Sequence, residues 1–195
     1  MKMKNVKVYD LEESIKASKY PMAIDTEQCN QEITKTVYAL GNCPKGEGHD
    51  NFLKGIRVAF DLTFSNKAWV ELERYHFFDF VSSQSTMHKI TQLDIKQQCN
   101  KYVWDSTIEN LQQKVEEYNS LENKASEQAK EMYLEILYNV PSGFELTARM
   151  TTNYQQLKTV YAQRYNHRLP EWREFCSWIE NNLPYFKELC LTKRK

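Results

Sequence analysis

Residues 57–64 read RVAFDLTF, and this segment alternates between apolar and more polar side chains. Because side chains in a β-strand point alternately to opposite faces, the pattern predicts a half-buried strand over Arg57–Phe64. A second segment, Phe144–Thr151, alternates in the same way after the turn Pro141-Ser142-Gly143. Two strands leave the edges of a sheet open, so we expect further strands near the termini, or an oligomer. The apolar face of the first strand consists of Val58, Phe60, Leu62 and Phe64.

Helical patterns and two polar loops make up most of the remaining chain. Capping-box residues Ser106-Thr107-Ile108-Glu109 open a long helical stretch that ends near Asn139, with a break near Ser120–Ser126. Loops are predicted at Asn42–Asp50, which holds two glycines and a proline, and at Val81–Met87. The other predicted helices are Leu11–Lys19, Thr26–Leu40, Lys67–Phe80, Asn153–Tyr165 and Pro170–Cys190.

The composition is that of an ordinary globular chain. Its 195 residues predict a single domain over residues 1–195, and 26 basic residues balance 26 acidic ones. The net charge therefore produces no overall electrostatic field that would favour binding to a nucleic acid or to an anionic membrane. The chain starts with charged residues, lacks an apolar leader segment and has no run long enough to span a bilayer, so we expect a cytoplasmic protein. Five widely spaced cysteines without a Cys-x-x-Cys pair predict buried free thiols in a reducing compartment.

Several common kinds of active site are disfavoured by the sequence. Ser82, Ser83 and Ser85 lie near two histidines, but no Gly-x-Ser-x-Gly elbow frames them, so a serine hydrolase is disfavoured. The four histidines lack metal-ligand spacing, and we expect no metal site. Neither a Gly-x-Gly-x-x-Gly motif nor a Walker loop is present, which disfavours the two common phosphate cradles.

A set of polar residues at helix and strand ends remains as the candidate site. Arg74-Tyr75-His76 is followed by the donor-rich segment Ser82–Ser85. Asn153 and Arg164 lie eleven positions apart on a predicted helix, so both can point to the same side, three turns apart. Arginine binds phosphate through two parallel hydrogen bonds, which makes an anionic ligand one interpretation. The alternative is that Arg74 and Arg164 are solvated or ion-paired surface residues.

The order of these features resembles the flavin-dependent thymidylate synthases (ThyX). In that family a Gly-His-Glu turn precedes a strand, and Arg-His-Arg and Asn-Glu-x-Ser motifs follow it. Here Gly48-His49-Asp50, Arg74-Tyr75-His76 and Ser82–Ser85 stand in those places, if one residue is inserted before the last. The resemblance spans Gly48–Cys176 and implies an α+β, ThyX-like fold, in which an antiparallel sheet packs with several helices, including a long one.

The C-terminal third resembles the same family. Pro141, Asn153 and Arg164 keep the separations of the family's proline, asparagine and arginine, and Trp172-Arg173-Glu174 is similar to its Gln-Trp-Glu. Carried over by position, the resemblance implies that Arg164 is catalytic and binds and polarises the uracil of dUMP. It implies that FAD contacts Arg74, His76 and Asn153. The substrate-binding residues that it implies are Gln84, Ser85, His88 and Arg164.

An activity follows from the resemblance. The family moves a methylene from methylenetetrahydrofolate onto dUMP, using a flavin hydride and NADPH as the reductant, in a homotetramer with FAD sites at subunit interfaces. The chain is thus expected to be an FAD-dependent methyltransferase acting on dUMP or a related pyrimidine nucleotide, in the cytoplasm of a bacterial or phage-infected cell. One alternative is a diverged ThyX-fold protein that acts as a nucleotide-binding or assembly subunit. A second alternative is an unrelated soluble domain of helices and strands.

The sequence also departs from the family's pattern. Tyr75 and His76 replace the histidine and the second arginine of Arg-His-Arg, and Glu71 replaces a glutamine one turn earlier. Met87 and Leu137 stand where further arginines are expected. Each charged hydrogen bond to a ligand that is lost in this way removes about 1.5–3 kcal/mol of binding free energy. The fold can therefore be retained while the set of ligand contacts changes.

Overall fold

The computed structural model describes residues 1–44 and 46–191, so the loop predicted at 42–50 is described except at residue 45. Within this part of the chain, four antiparallel strands form one sheet in the order β1-β2-β4-β3. The two strands predicted from alternation are confirmed as β2 and β4 and form the centre of the sheet, with Val58 opposite Thr152 and Phe64 opposite Leu146. The strands are β1 (Lys2–Tyr9), β2 (Arg57–Ser65), β3 (Asp79–Ser83) and β4 (Glu145–Asn153).

Ten α-helices accompany the sheet in the described residues. None of them is long and apolar enough to cross a membrane. The first five are α1 (Leu11–Ala17), α2 (Lys35–Gly41), α3 (Asn66–Leu72), α4 (Thr86–Lys89) and α5 (Ile95–Gln98). The last five are α6 (Asp105–Ser120), α7 (Glu127–Tyr138), α8 (Tyr154–Arg164), α9 (Pro170–Asn182) and α10 (Phe186–Cys190).

The segment after β2 departs from the prediction. A helix was predicted over Lys67–Phe80, but α3 ends at Leu72 and residues 79–83 form the edge strand β3. The turn between them is held by the Thr152 hydroxyl, which donates to the Phe77 carbonyl at 2.7 Å. Asp79 and Phe80 therefore pair with β4 as strand residues instead of continuing the helix. The prediction that the helix reaches residue 80 is wrong.

The predicted break in the long helical stretch is confirmed. Helix α6 ends at Ser120, and α7 begins after Ser126, whose hydroxyl accepts a hydrogen bond from the Ala129 amide at 3.2 Å. This side-chain cap satisfies one of the free amides of the first turn. The two helices cover a small separate cluster of buried residues: Ile90, Ile95, Leu111, Val115, Ile136 and Phe144.

The main core lies between one face of the sheet and helices α3, α8 and α9. All four apolar residues predicted on one face of β2 are buried there. Phe64 is fully buried, and its ring centroid lies 5.0 Å from that of Trp172 and 5.9 Å from that of Phe175. Edge-to-face aromatic pairs at these distances add to the stabilisation from area burial alone. The core thus joins β2 to α9 and sets the position of α8 next to them.

A buried carboxylate fixes the junction of β2 and α3. Glu171 accepts hydrogen bonds from the Ser65 amide at 2.8 Å and the Ser65 hydroxyl at 3.0 Å, and both residues are buried.

We expect Glu171→Gln to lower the free energy of unfolding by about 1.5–3 kcal/mol, because charge-assisted hydrogen bonds are replaced by neutral ones. Urea denaturation measures this difference. Glu174→Gln, an exposed change on the same helix, is the control and should cost about 0–1 kcal/mol; equal effects of the two variants would contradict the prediction.

Candidate functional site

A cleft of about 390 Å³ separates the turn after α3 from helix α8. Arg74, His76 and Arg164, which are distant in sequence, line this one cleft. The structure therefore brings together three of the residues singled out from the sequence. The complete lining consists of Arg74, Tyr75, His76, Phe77, Gln156, Thr159, Gln163 and Arg164.

The turn that carries Arg74 is fixed by its own backbone. The Tyr75 amide donates to the Leu72 carbonyl at 3.0 Å, and the Phe78 amide donates to the Tyr75 carbonyl at 3.1 Å. Tyr75 points into the protein, whereas Arg74 and His76 are exposed. Neither exposed side chain has a hydrogen bond or an ion pair with the described part of the chain. The Arg74 guanidinium is therefore available to an anionic ligand.

Arg164 differs from Arg74 because it is buried and already paired. Its Nε donates to the Tyr75 hydroxyl at 2.9 Å, and its Nη1 donates to Glu71 Oε2 at 2.9 Å. The Tyr75 hydroxyl donates in turn to Gln163 Oε1 at 2.9 Å. The guanidinium carbon lies 5.1 Å from the centroid of the Trp172 ring, within the range of a cation–π contact. Arg164 is thus held in a fixed orientation, and its charge is balanced inside the protein by Glu71.

His167 completes this partly buried cluster. Its Nε2 lies 3.3 Å from Glu71 Oε2 and 2.7 Å from Arg164 Nη1. Because a guanidinium only donates, the 2.7 Å contact makes His167 Nε2 an acceptor, and the Leu169 amide donates to Nδ1 at 3.2 Å, so both ring nitrogens face donors. Burial lowers the pKa of His167, the positive charges of Arg164 and Arg173 lower it further, and Glu71 opposes these effects. The neutral ring is therefore the favoured form in the folded protein.

This lowered pKa makes the stability of the fold depend on pH. On acidification below the ordinary histidine pKa of 6.5, the unfolded chain takes up a proton at His167 before the folded protein does. We therefore expect the free energy of unfolding to decrease as the pH falls from about 7 through this value. Urea denaturation between pH 7.5 and 5.5 measures the decrease, which should be smaller in His167→Gln. His88→Gln, an exposed change on α4, should keep the wild-type slope; the same slope in all three proteins would refute the assignment.

Asn153 has a structural contact in this chain. It is buried, and its side-chain oxygen accepts a hydrogen bond from the Gln156 amide at 2.9 Å, which caps the start of α8. A cap of this kind stabilises a helix by about 1 kcal/mol. Asn153 does not line the cleft, which lies farther along α8. Its predicted contact with a cofactor remains a prediction.

The predicted substrate-binding residues after β3 lie away from this cleft. The Gln84 amide donates to the Thr147 carbonyl at 2.9 Å, and Gln84 Oε1 accepts from the Thr147 amide at 2.9 Å, so Gln84 extends the pairing with β4. It lines a separate polar depression of about 250 Å³ with Lys2, Asp61 and Thr147. Ser85 lies directly before α4, and His88 is exposed on that helix.

Asp50 joins the Gly48-His49-Asp50 turn to α8, a contact that the sequence did not reveal. Its carboxylate accepts from Lys158 Nζ at 2.7 Å and from Gln155 Nε2 at 2.9 Å. Lys158 Nζ also donates to the carbonyls of Gly41 and Cys43 at 2.8 and 3.0 Å. All three protons of the ammonium group are thus used inside the protein, so Lys158 anchors this turn rather than binding a ligand.

Glu71 and His167 were also missed as members of the site. Glu71 stood out in the sequence only as a departure from a family pattern, and His167 only as one of four scattered histidines. The spacing of Arg164 and His167, three positions apart at the end of a predicted helix, is the signal that could have linked them. No group of three or more His, Cys, Asp or Glu side chains in residues 1–44 and 46–191 could hold a metal ion.

Comparisons with known proteins identify the fold. No family model matches the chain, and no curated protein matches it. The structure is similar to that of the flavin-dependent thymidylate synthase ThyX from Helicobacter pylori complexed with FAD and dUMP, with a TM-score of 0.72, 14% identity and 100% coverage of both chains. A second structure of Helicobacter pylori ThyX with FAD and dUMP also gives a TM-score of 0.72 and 14% identity, over 99% of this chain and 100% of the other.

A third solved structure has a different stated substrate range. It is the UMP/dUMP methylase PolB from Streptomyces cacaoi bound with 5-Br dUMP, which matches with a TM-score of 0.58 and 13% identity, over 92% of this chain and 88% of the other. At these identities the likeness concerns the fold. The α+β, ThyX-like fold that the sequence resemblance implied is confirmed.

Proposed function

We propose that this chain is a flavin-dependent methyltransferase of the ThyX type. It would transfer a one-carbon unit from methylenetetrahydrofolate to dUMP or a related pyrimidine nucleotide, with NADPH as the reductant. The observation that carries the proposal is the single cleft in which Arg74, His76 and Arg164 meet. The proposal is supported by a fold shared with proteins whose solved structures contain FAD and dUMP.

Arg74 is the residue that we assign to an anionic group of the ligand. Its exposed guanidinium has no partner in the described residues, and binding a phosphate would not require an existing ion pair to break. His76, exposed two positions later, would add a second donor for the cofactor. Phosphate contacts by arginine are charge-assisted and can be bidentate, which gives them both strength and direction.

Arg164 is assigned to the nucleobase. Because Glu71 balances its charge, the guanidinium suits a neutral group better than a second anion. It would donate a hydrogen bond to a carbonyl oxygen of the pyrimidine ring and so draw electron density toward that oxygen. Fixed donors of this kind act by orientation and electrostatic stabilisation and need no nucleophilic side chain.

The residues of the cleft fit part of an FAD molecule. When bound, FAD would supply the hydride chemistry, while the protein supplies binding and orientation. Ligand cavities usually measure about 300–1,000 Å³, and a dinucleotide needs the upper part of that range or more. A cleft of about 390 Å³ in one chain is therefore small for the entire cofactor. We assign the remainder of the site to neighbouring copies in a homotetramer.

The edge strand β3 supports assembly. All of its residues are exposed, including Phe80 and Val81, and it lies at the end of the sheet. An exposed apolar edge strand is a surface that proteins normally cover. Gln84, Ser85 and His88 follow this strand, and in the tetramer they would contribute to the substrate site of another copy. Asn153 would contact the flavin from its position at the start of α8.

A second candidate function is a nucleotide-binding or assembly subunit that has lost catalysis. The observation that favours it is the internal pairing of Arg164 with Tyr75 and Glu71, which occupies two of its three nitrogen atoms. A protein of this type would bind the nucleotide and yield no methylated product.

A product assay separates the two candidates. The FAD-loaded protein is incubated with methylenetetrahydrofolate, NADPH and dUMP or dCMP, and mass spectrometry detects a nucleotide that has gained a one-carbon group. We expect such a product, and we expect Arg74→Ala to weaken nucleotide or FAD binding by about 10- to 100-fold, as loss of one charged contact predicts. Lys130→Ala, an exposed change on α7, serves as the control. Nucleotide binding without product would support the second candidate.

A further inference from the structure

The Tyr75 hydroxyl lies between a guanidinium and a side-chain amide. Arg164 Nε lies 2.9 Å from this hydroxyl, and Gln163 Oε1 also lies 2.9 Å from it. A guanidinium only donates hydrogen bonds, so the hydroxyl oxygen must accept from Arg164. Tyr75 is buried, where a hydroxyl proton without a partner would be costly, and the proton is left for Gln163. The Tyr75 hydroxyl therefore donates to the Gln163 amide.

This contact decides which end of the Gln163 amide stays free. A side-chain amide has an oxygen that only accepts and a nitrogen that only donates, and rotation of the amide exchanges their places. Because the Tyr75 hydroxyl donates, the amide oxygen must face it. The amide nitrogen keeps both of its protons, and no described residue accepts from it. Gln163 is exposed and lines the cleft, so its nitrogen is a donor available to a ligand there.

The surroundings of this nitrogen favour an anion. The same cleft is lined by the exposed guanidinium of Arg74 and by Arg164, and none of the described residues that line it is acidic. A phosphate group presents several acceptor oxygens, so it can accept from a guanidinium and from an amide nitrogen at the same time. A donor at Gln163 thus adds to the binding of a phosphate that Arg74 attracts.

We propose that Gln163 is a second phosphate-binding residue of the cleft and that Tyr75 is the positioning residue that orients its amide. The proposal rests on the function proposed above and adds a contact to the one assigned to Arg74. The phosphate belongs to the pyrimidine nucleotide or to FAD, which present the same oxygen chemistry, and the experiment distinguishes the two sources. Tyr75 acts through Gln163, because its only proton is already donated inside the protein.

Calorimetric titrations of an isosteric variant test the role of Gln163. FAD is titrated into the flavin-free protein, and dUMP is titrated into the protein saturated with FAD. In Gln163→Glu one carboxylate oxygen can still accept from Tyr75, while the other places an acceptor where the donor was. We expect the ligand whose phosphate lies at Gln163 to bind about 10- to 100-fold more weakly, and the other ligand to stay within about threefold of wild type. Gln128→Glu, the same change at an exposed position of α7, should bind both ligands like wild type.

A double-mutant cycle tests the positioning role of Tyr75. Tyr75→Phe should weaken binding of the same ligand by about 3- to 10-fold, because the Gln163 amide can then turn its oxygen toward the phosphate. In a Gln163→Ala background, Tyr75→Phe should weaken binding by less than about twofold. Equal losses in both backgrounds would overturn the positioning role, because an effect through Arg164 or through packing does not depend on the side chain at position 163.

The outcomes distinguish this inference from the proposed function. Unchanged binding of both ligands in Gln163→Glu would overturn the role of Gln163 and leave the proposed function in place. If the wild-type protein binds neither FAD nor dUMP, the proposed function fails, and inorganic pyrophosphate is the remaining probe. Weaker binding of pyrophosphate in Gln163→Glu than in wild type would then support the phosphate contact, and equal or absent binding would overturn it. Because Gln163 is exposed, its variants keep the inference testable even if Tyr75→Phe does not fold.

Discussion

Arg164→Ala is expected to lower kcat/KM for the pyrimidine nucleotide by about 100-fold or more. The substitution removes the donor to the base carbonyl, and loss of a charged hydrogen bond in a partly enclosed site costs at least about 2–3 kcal/mol. An effect in kcat as well as KM is expected, because the contact is proposed to strengthen as the ring accepts electron density. Steady-state kinetics with the purified variant and its FAD measures both parameters.

The same substitution leaves Glu71 without its ion-pair partner, so a structural effect must be separated from a catalytic one. Arg164→Lys keeps the positive charge near Glu71 and removes the planar fork. We expect Arg164→Lys to retain near-normal thermal stability and to lose most of the turnover. Unchanged turnover in Arg164→Ala would remove the assigned role of this residue. Equal losses of stability and turnover in both variants would indicate a structural role only.

Phe64→Ala is expected to lower the free energy of unfolding by about 3–5 kcal/mol, the usual range for a buried phenylalanine. Phe64 is fully buried, and its ring centroid lies 5.4 Å from that of Trp69 and 5.0 Å from that of Trp172. The cavity would open where β2, α3 and α9 meet. Urea denaturation measures the loss, and the slope of the unfolding free energy against urea should stay the same.

Phe77→Ala is the matched control for this prediction. The side chain is the same, but it is 63% exposed, so its removal should change stability by less than about 1 kcal/mol. A loss below about 1.5 kcal/mol for Phe64→Ala would show that the centre of the core lies elsewhere. The aromatic cluster would then not fix the position of α8.

The central strands could be predicted because one of their faces is buried. In β2 the large apolar residues Val58, Phe60, Leu62 and Phe64 are buried, and in β4 Ala148 and Met150 are buried between less buried neighbours, so the period of two is visible in the sequence. Strand β3 has no such signal because each of its residues is exposed, and its conformation is set by pairing with β4. In β1 the pattern is interrupted between Lys4 and Lys7, where the pairing shifts and Asn5 has a φ of 50°.

The site could be predicted in part for similar reasons. The spacing along α8 and the motif at Arg74 selected Arg74, His76 and Arg164, which meet in one cleft, but also Asn153, which lies outside it. The ion pair between Glu71 and Arg164 could not be foreseen, because it depends on how α3 and α8 pack together. A contribution of Gln84, Ser85 and His88 to another copy's site also depends on an interface that one chain does not contain.

Binding of FAD decides whether the proposed flavin-dependent function holds. The purified protein is titrated with FAD while the quenching of flavin fluorescence is followed, and bound flavin is then released by denaturation and quantified. We expect saturable binding that approaches one FAD per chain and weakens in Arg74→Ala. A colourless protein that neither releases flavin nor binds added FAD would contradict the flavin-dependent function.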